Sequence, residues 1–275
     1  MASSNTLGEY LRARRELVRP EDVGIRVTGT RRTPGLRREE VATLAGISAD
    51  YYLRLEQGRD RRPSPQVLDA LARVLGLDAA ATRYLRSLSS AQSDRAARRS
   101  PDVVPTGILQ LLDVIGLPAF VESRIFDVLA ANPLASQLYP SARPGENRLR
   151  SAFLDEDERA RHPDWEHIAG GMVASFRASI GSPDDPRVTR LVGELSLASE
   201  QFRTLWARHD VKQPAGAGVR IQHPEVGLLE LRREKLAVSG TDGQLLVVFH
   251  AEPGSASERS LALLGSLAAT RTTGS

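Results

Sequence analysis

No cysteine occurs in the 275 residues, which excludes disulfides and every thiolate-ligated zinc or iron–sulfur centre. Long apolar runs are missing as well. Nothing approaches the ~20 apolar residues that span a bilayer, and no hydrophobic signal segment opens the chain. A cytoplasmic protein without a membrane partner is the expectation. Lysine is scarce: only Lys212 and Lys235 are present, so nearly all positive charge is arginine. The guanidinium fork suits bidentate contacts to phosphate and guanine.

What is present is unevenly spread. Residues 1–100 hold 19 arginines against 12 acidic residues, whereas residues 101–275 hold 18 basic against 22 acidic. A basic part thus precedes a mildly acidic one, as expected of a nucleic-acid-binding head joined to a different kind of domain. The length allows two cores, and we expect domains at 1–90 and 106–275 with a linker at 91–105.

The densest signal is Arg37–Gly58, RREEVATLAGISADYYLRLEQG. Glu39–Ala45 follows a helical pattern with Val41, Ala42 and Ala45 on one side, and Gly46 breaks it. Ile47 is apolar, and Ser48 can cap a second helix whose inner face carries Tyr52 and Leu55. A small residue, a glycine turn and an apolar residue after it suit two short helices crossing at close range. That is a helix-turn-helix, whose second helix enters the DNA major groove.

Around it, Leu7, Tyr10, Leu11, Arg14, Leu17 and Val18 predict a first helix. Pro20–Gly35 is an irregular insertion with Arg26, Arg31 and Arg32, open to two readings: a basic arm on the phosphate backbone, or a solvated loop. Ser64 and Pro65 open a fourth helix with Val67, Leu68, Leu71, Ala72, Val74 and Leu75 inside, and Asp78–Leu88 predicts a fifth. Ser87–Pro105 turns polar and reads as the linker.

Beyond it, Gly107–Ile115 predicts a helix, Pro118–Glu122 and Ile125–Ala131 paired strands, and Asn132-Pro133 a capped helix start. Trp165–Ile180, Asp185–Leu197 and Glu200–His209 predict helices. Gly218–His223, Gly227–Leu236 and Leu245–Ala251 predict strands, with a turn at Gly240–Gly243, and Leu261–Ala268 closes as a helix. The expected fold is therefore two-domain: an all-α five-helix helix-turn-helix domain, then an α+β PAS-like domain with an antiparallel sheet.

Two resemblances sharpen this. Arg38, Glu39, Glu40, Val41, Ala42, Gly46, Ile47, Ser48, Leu55, Glu56 and Gly58 fill the pattern of the Xre/Cro-type helix-turn-helix family, and the basic loop Arg59, Arg61, Arg62 and Pro63 extends it. The insertion at 20–35 departs from the shorter connection of simpler members. In the second part, AANPLA…LYP, NRLR…FL, PDWE, LVGEL, SEQFRTLWARHDV, HPEVG and AEPGS resemble the MmyB-like ligand-binding domain.

The first resemblance implies base contacts from Ser48, Ala49, Asp50, Tyr51 and Arg54, and phosphate contacts from Arg37, Arg38, Arg59, Arg61 and Arg62. Arg54 is the candidate for guanine O6 and N7, Ala49 or Tyr51 for a thymine methyl, and Asp50 for cytosine N4. Glu39 and Glu40 read as first-turn caps and Glu56 as an intramolecular partner of an arginine. The implied partners are double-stranded DNA at the nucleoid and, since one head reads few base pairs, a second copy of the chain.

The second resemblance implies a fatty-acid-like ligand rather than a tightly held cofactor. Phe120, Leu138, Trp165, Phe176, Phe202 and Trp206 (with Phe126) supply bulky apolar surface for its pocket, and Asn132, Arg177, Arg203 and Arg208 are candidate headgroup partners. Two other readings stay open: that this domain only dimerises the chain, or that it senses haem or a metal. His162 and His167, five apart, do not stack on a helix face, and no HExxH or GxSxG occurs, so catalysis is not expected.

Overall fold

The computed structural model describes residues 6–26, 31, 33, 35–60, 62–90, 102–180, 185–211 and 217–272. Five helices form the first part: α1 (Thr6–Leu17), α2 (Arg38–Ala45), α3 (Ala49–Glu56), α4 (Pro65–Val74) and α5 (Ala79–Ser90), with a 3-10 turn at Pro20–Val23. Their inner faces meet in one core that holds Tyr10, Leu11, Leu36, Val41, Tyr52, Leu55, Leu71, Leu75 and Leu85. Helix ends follow the expected signals. Ser48 accepts from the Tyr51 N–H, Ser64 from that of Val67 and Asp78 from that of Ala81. Gly46 ends α2 at φ 70°, where only glycine is unstrained.

The fifth helix runs past the expected end at Leu88, so the polar stretch read as linker begins as its last turn, with Ser87 and Ser89 bonded to carbonyls three residues back. The rest of that stretch to residue 101, with Arg95, Arg98 and Arg99, lies outside the described residues.

The insertion returns to the bundle at Gly35 and Leu36. The Leu36 N–H donates to the Arg15 carbonyl, and the Arg15 guanidinium donates to the Leu36 carbonyl. This close pass leaves no room for a Cβ at Gly35, which would stand 2.3 Å from the Arg15 oxygen and 2.6 Å from the Glu16 Cα. Both neighbours are backbone and cannot swing aside. Gly35→Ala is expected to cost about 1–3 kcal/mol in urea unfolding; a loss under about 0.5 kcal/mol would show that the contact is slack.

The second part begins with α6 (Thr106–Val114), β1 (Ala119–Glu122), β2 (Val128–Ala131) and α7 (Pro133–Leu138). Then come α8 (Arg148–Leu154), α9 (Glu156–Ala160), α10 (Trp165–Ser179), α11 (Pro186–Ala198) and α12 (Glu200–Ala207). It closes with β3 (Ala217–His223), β4 (Gly227–Ala237), β5 (Leu245–His250) and α13 (Ala256–Thr272). The five strands form one antiparallel sheet in the order β2-β1-β5-β4-β3. Ile125–Asp127, expected within a strand, is instead a tight turn built on the Ser123 hydroxyl, with Phe126 at φ 66°.

Alternation divides the sheet's side chains between two layers. Phe120, Val247, Phe249, Ile221 and Leu229 pack with Leu138, Tyr139 and Leu264 on one face; Ala119, Val121, Leu246 and Val248 pack with Leu112 of α6 on the other. A third cluster, among α8, α10, α11 and α12, holds Phe126, Phe153, Phe176 and Phe202, with Trp165 and Trp206 against it. Among the described residues no helix is long and apolar enough to cross a membrane.

Candidate nucleic-acid interface and ligand domain

The capped turn of Gly46, Ile47 and Ser48 sets α3 across α2 with Tyr52 and Leu55 inside and Ala49, Asp50 and Arg54 outside. Ser48 is exposed and Tyr51 half-buried. Arg54 donates to Asp50 at 2.9 Å, one helical turn back, and its guanidinium lies 5.7 Å from the centre of the Tyr51 ring. An exposed i,i+4 pair contributes only about 0.3–0.5 kcal/mol, enough to bias the rotamer and weak enough to be exchanged for a base edge. Of the five residues expected at the bases, Asp50, Tyr51 and Arg54 are thus in mutual contact at the outer surface of α3, with Ser48 and Ala49 exposed at its start.

Beneath them lies a charged knot. Glu56, at the end of α3, is buried; its carboxylate accepts from Arg15 at 2.7 Å and from Arg38 at 2.6 Å. The expected arginine partner of Glu56 is therefore two arginines, which bind α1, α2 and α3 together. Arg38 keeps about two-fifths of its side chain exposed, with its Nε directed to Glu56. Arg37, Arg59 and Arg62 are exposed, and Arg61 lies outside the described residues.

Glu40 accepts from the Arg37 N–H at 2.6 Å as a first-turn cap. It also receives a two-pronged contact from Arg31 at 2.8 and 2.7 Å, and this bond holds its carboxyl below the usual range. Arg31 thereby fastens the insertion to α2 instead of reaching outward; Arg26 is exposed, and Arg32 lies outside the described residues.

The residues expected at a ligand pocket divide between two clusters. Phe120 and Leu138 sit in the sheet layer, whereas Trp165, Phe176, Phe202 and Trp206 belong to the helical cluster. Asn132 is fully used by the fold: its oxygen accepts from the N–H groups of Ala119 and Ala135, and its amide donates to the carbonyls of Ile115 and Leu117. Arg203 donates to the Ser196 carbonyl and Arg208 pairs with Asp210. An open groove of about 500 Å³ lies elsewhere, between α6 and the end of β4, lined by Pro105, Ile108, Leu236 and Val238.

Arg177 is placed at the junction of the two parts. It lies 3.7 Å above the Trp206 ring, donates to the Trp206 carbonyl, and stands 3.3 Å from His209 Nδ1. Tyr84 of α5 interacts electrostatically with the same guanidinium, and burial lowers the proton affinity of Arg177. Nearby, Arg14 of α1 pairs with Asp210 at 2.8 Å, Tyr10 packs edge-on against His209, and Val211 joins the core of the helical head. The other histidines stand apart: His162 stacks on Tyr139, and His223 contacts the Gln137 carbonyl. Among the described residues no three metal-ligating side chains converge.

A capped helix pair with an exposed, arginine-bearing outer helix, joined to a helix-flanked antiparallel sheet, suits a DNA-binding transcription regulator with a ligand-binding domain. Residues 6–85 match a helix-turn-helix domain model. Residues 104–264 match the model of the MmyB-like transcription regulator ligand binding domain, and the chain belongs to that family. No curated protein matches it.

Proposed function

We propose that the chain is a dimeric, sequence-specific DNA-binding regulator in which α3 reads bases and a small hydrophobic, fatty-acid-like ligand of the second domain controls how two such helices are presented. The observation that carries the base-reading part is the outward surface of Asp50, Tyr51 and Arg54, the arginine poised between the other two. Arg54 takes guanine; Ser48, Ala49, Asp50 and Tyr51 take the neighbouring edges. Arg37, Arg59, Arg61, Arg62 and the outer edge of Arg38 take phosphates. The domains run 1–90 and 106–275, with the linker between.

For the ligand, the border between the sheet layer and the helical cluster is favoured, where His162 lies 5.5 Å from the Tyr139 ring and 6.4 Å from that of Trp165. For transmission, the contacts of Arg14, Tyr10 and Tyr84 with Asp210, His209 and Arg177 tie the sensor to the first and fifth helices of the head. A ligand that shifts α10 or α12 therefore moves groups bonded to the head.

Arg54→Ala is expected to weaken operator binding by about 1–3 kcal/mol and to relax preference at one base pair. Arg59→Ala is expected to weaken all sequences alike and to lower the slope of log affinity against log salt by about one. Titrations of both variants over a salt series separate the roles. Uniform weakening across sequences by Arg54→Ala would make it a phosphate contact.

A further inference from the structure

Along β4 the inward positions are Leu229 and Leu231, and the same alternation brings Arg233 and Lys235 to that face, opposite Phe249 and Val247 of β5. Two cations thus stand where apolar side chains complete the layer elsewhere. Lys235 is matched: its ammonium binds the buried Glu122 and lies 5.0 Å over the Phe126 ring. Arg233 is not. Its Nε is buried and reaches no acceptor among the described residues.

Arg148, at the start of α8, acts electrostatically on Arg233, and Arg161, just after α9, joins the two of them around His162. The Arg148 guanidinium lies 4.8 Å from the centre of the Phe120 ring and 5.1 Å from that of Tyr139. Ring faces soften the burial of a cation but satisfy none of its N–H groups. Arg148 Nε and Arg161 Nη1 are likewise buried without an acceptor among the described residues, as is His162 Nδ1 on the Tyr139 ring. Arg148 and His162 are each 8 % exposed, whereas Arg161 and Arg233 are half-buried, so the group reaches from the interior towards solvent.

The charges here do not balance. Four cations (Arg148, Arg161, Arg233 and Lys235) face two carboxylates, Glu122 held by Lys235 and Glu158 held by the Ser141 hydroxyl. Burial and the three guanidiniums push His162 down to about 4, so it is neutral and adds no charge. Clustered buried cations with unsatisfied N–H groups are costly unless a counter-charge supplies acceptors.

We propose that Arg148, Arg161 and Arg233 bind the anionic group, a carboxylate or a phosphate, of the small molecule that the second domain takes, with His162 at its edge. This rests on the second domain being a ligand-binding domain, but not on the ligand's tail being fatty. Guanidinium forks match either oxyanion, and Phe120 and Tyr139 beside Arg148, with Phe249 against both, offer rings to an apolar remainder.

The test is calorimetric titration of the full chain with dodecanoate, with uncharged dodecanol and with inorganic phosphate, repeated on the half-buried-site variants Arg161→Gln and Arg233→Gln. The expected result is that a charged probe binds and that each variant weakens it about tenfold or more, dodecanol being unaffected. Phosphate alone showing this dependence identifies a free phosphate as the source; dodecanoate showing it identifies a carboxylate. Should neither variant fold, NMR of His162 in the wild type decides, because an anion beside it must raise its proton affinity. Charged probes bound equally by all three proteins, or not at all, or bound without moving His162, would overturn the site. Dodecanol binding reports separately on the hydrophobic-ligand reading: that reading stands if dodecanol binds, and loses its support if neither dodecanol nor dodecanoate does.

Discussion

Glu56→Gln is expected to unfold the helix-turn-helix at temperatures where the wild type is folded, and with it to abolish DNA binding. Glu56 is 8 % exposed and Arg15 is 4 % exposed, and the carboxylate between Arg15 and Arg38 is the charge that makes the buried guanidinium tolerable. Removing one partner of such a pair costs about 3–5 kcal/mol, because the other charge stays buried without compensation. Much of a domain's net stability, about 5–15 kcal/mol, would be lost. Thermal melting by circular dichroism checks this, with Arg38→Gln as the comparison. Arg38 is partly exposed, so its loss leaves Glu56 still bonded to Arg15 and should cost much less. Equal losses in the two variants would contradict the asymmetry.

Stability is expected to fall steeply between pH 6.5 and 5, before most carboxylates titrate. His162 is buried and His209 half-buried, each beside arginines. Burial first, then Arg148 for His162 and Arg177 for His209, pushes each from 6.5 down to about 4. A depressed histidine is neutral when folded and protonated when unfolded across that window. The unfolded chain therefore binds more protons, and acid favours it. The contribution is fully present above pH 6.5 and is lost as pH falls towards 4. From pH 7 to 5 each histidine accounts for about 2 kcal/mol. Urea midpoints measured across this range should drop in the wild type and flatten in His162→Gln and His209→Gln, each removing about half of the slope. A flat wild-type profile would mean that the two imidazoles are solvated.

His209 adds a reason to look for this at the junction of the two parts. It sits at φ 54° between Tyr10 and Arg177, and its protonation would place a second cation against the guanidinium. The same acid that unfolds the chain should first loosen the contact between head and sensor.

What was legible in the sequence follows a physical rule. The helix-turn-helix is written in local signals: Gly46 needing a positive φ, Ser48 capping, and apolar residues at helical spacing all fall within about two turns of one another. The strands were legible because alternation survives in β3 and most of β4. The helices α8 and α9 were missed. At seven and five residues they are too short for a periodic pattern, although Asn147 and Asp155 cap them and were the available signal.

The site in the second domain was the hardest part. Its aromatics were recognisable as interior, but not the division between two clusters that chain distance conceals: Phe120 packs with Phe249, and Phe153 with Phe202. Asn132 was legible as the cap of α7, and the Ala135 N–H does donate to it; its further bonds to Ala119, Ile115 and Leu117, which leave no free group for a ligand, emerge only in the fold. Arg177 interacts electrostatically with Tyr84, far away in sequence, which no local pattern signals. Arg233 could have been found, since it falls in register with Leu229 and Leu231 on the inward side of β4.

The central claim is that two copies of α3 read base sequence. Selection from a random double-stranded DNA library with the purified full chain tests it most directly, the bound fraction being sequenced and footprinted. The expected result is two related half-sites with centres about one helical turn (about 34–36 Å) apart, and loss of preference at one position of each half-site when Arg54→Ala replaces the wild type. Binding without sequence enrichment, or an enriched sequence whose every position is unchanged by that substitution, would contradict it.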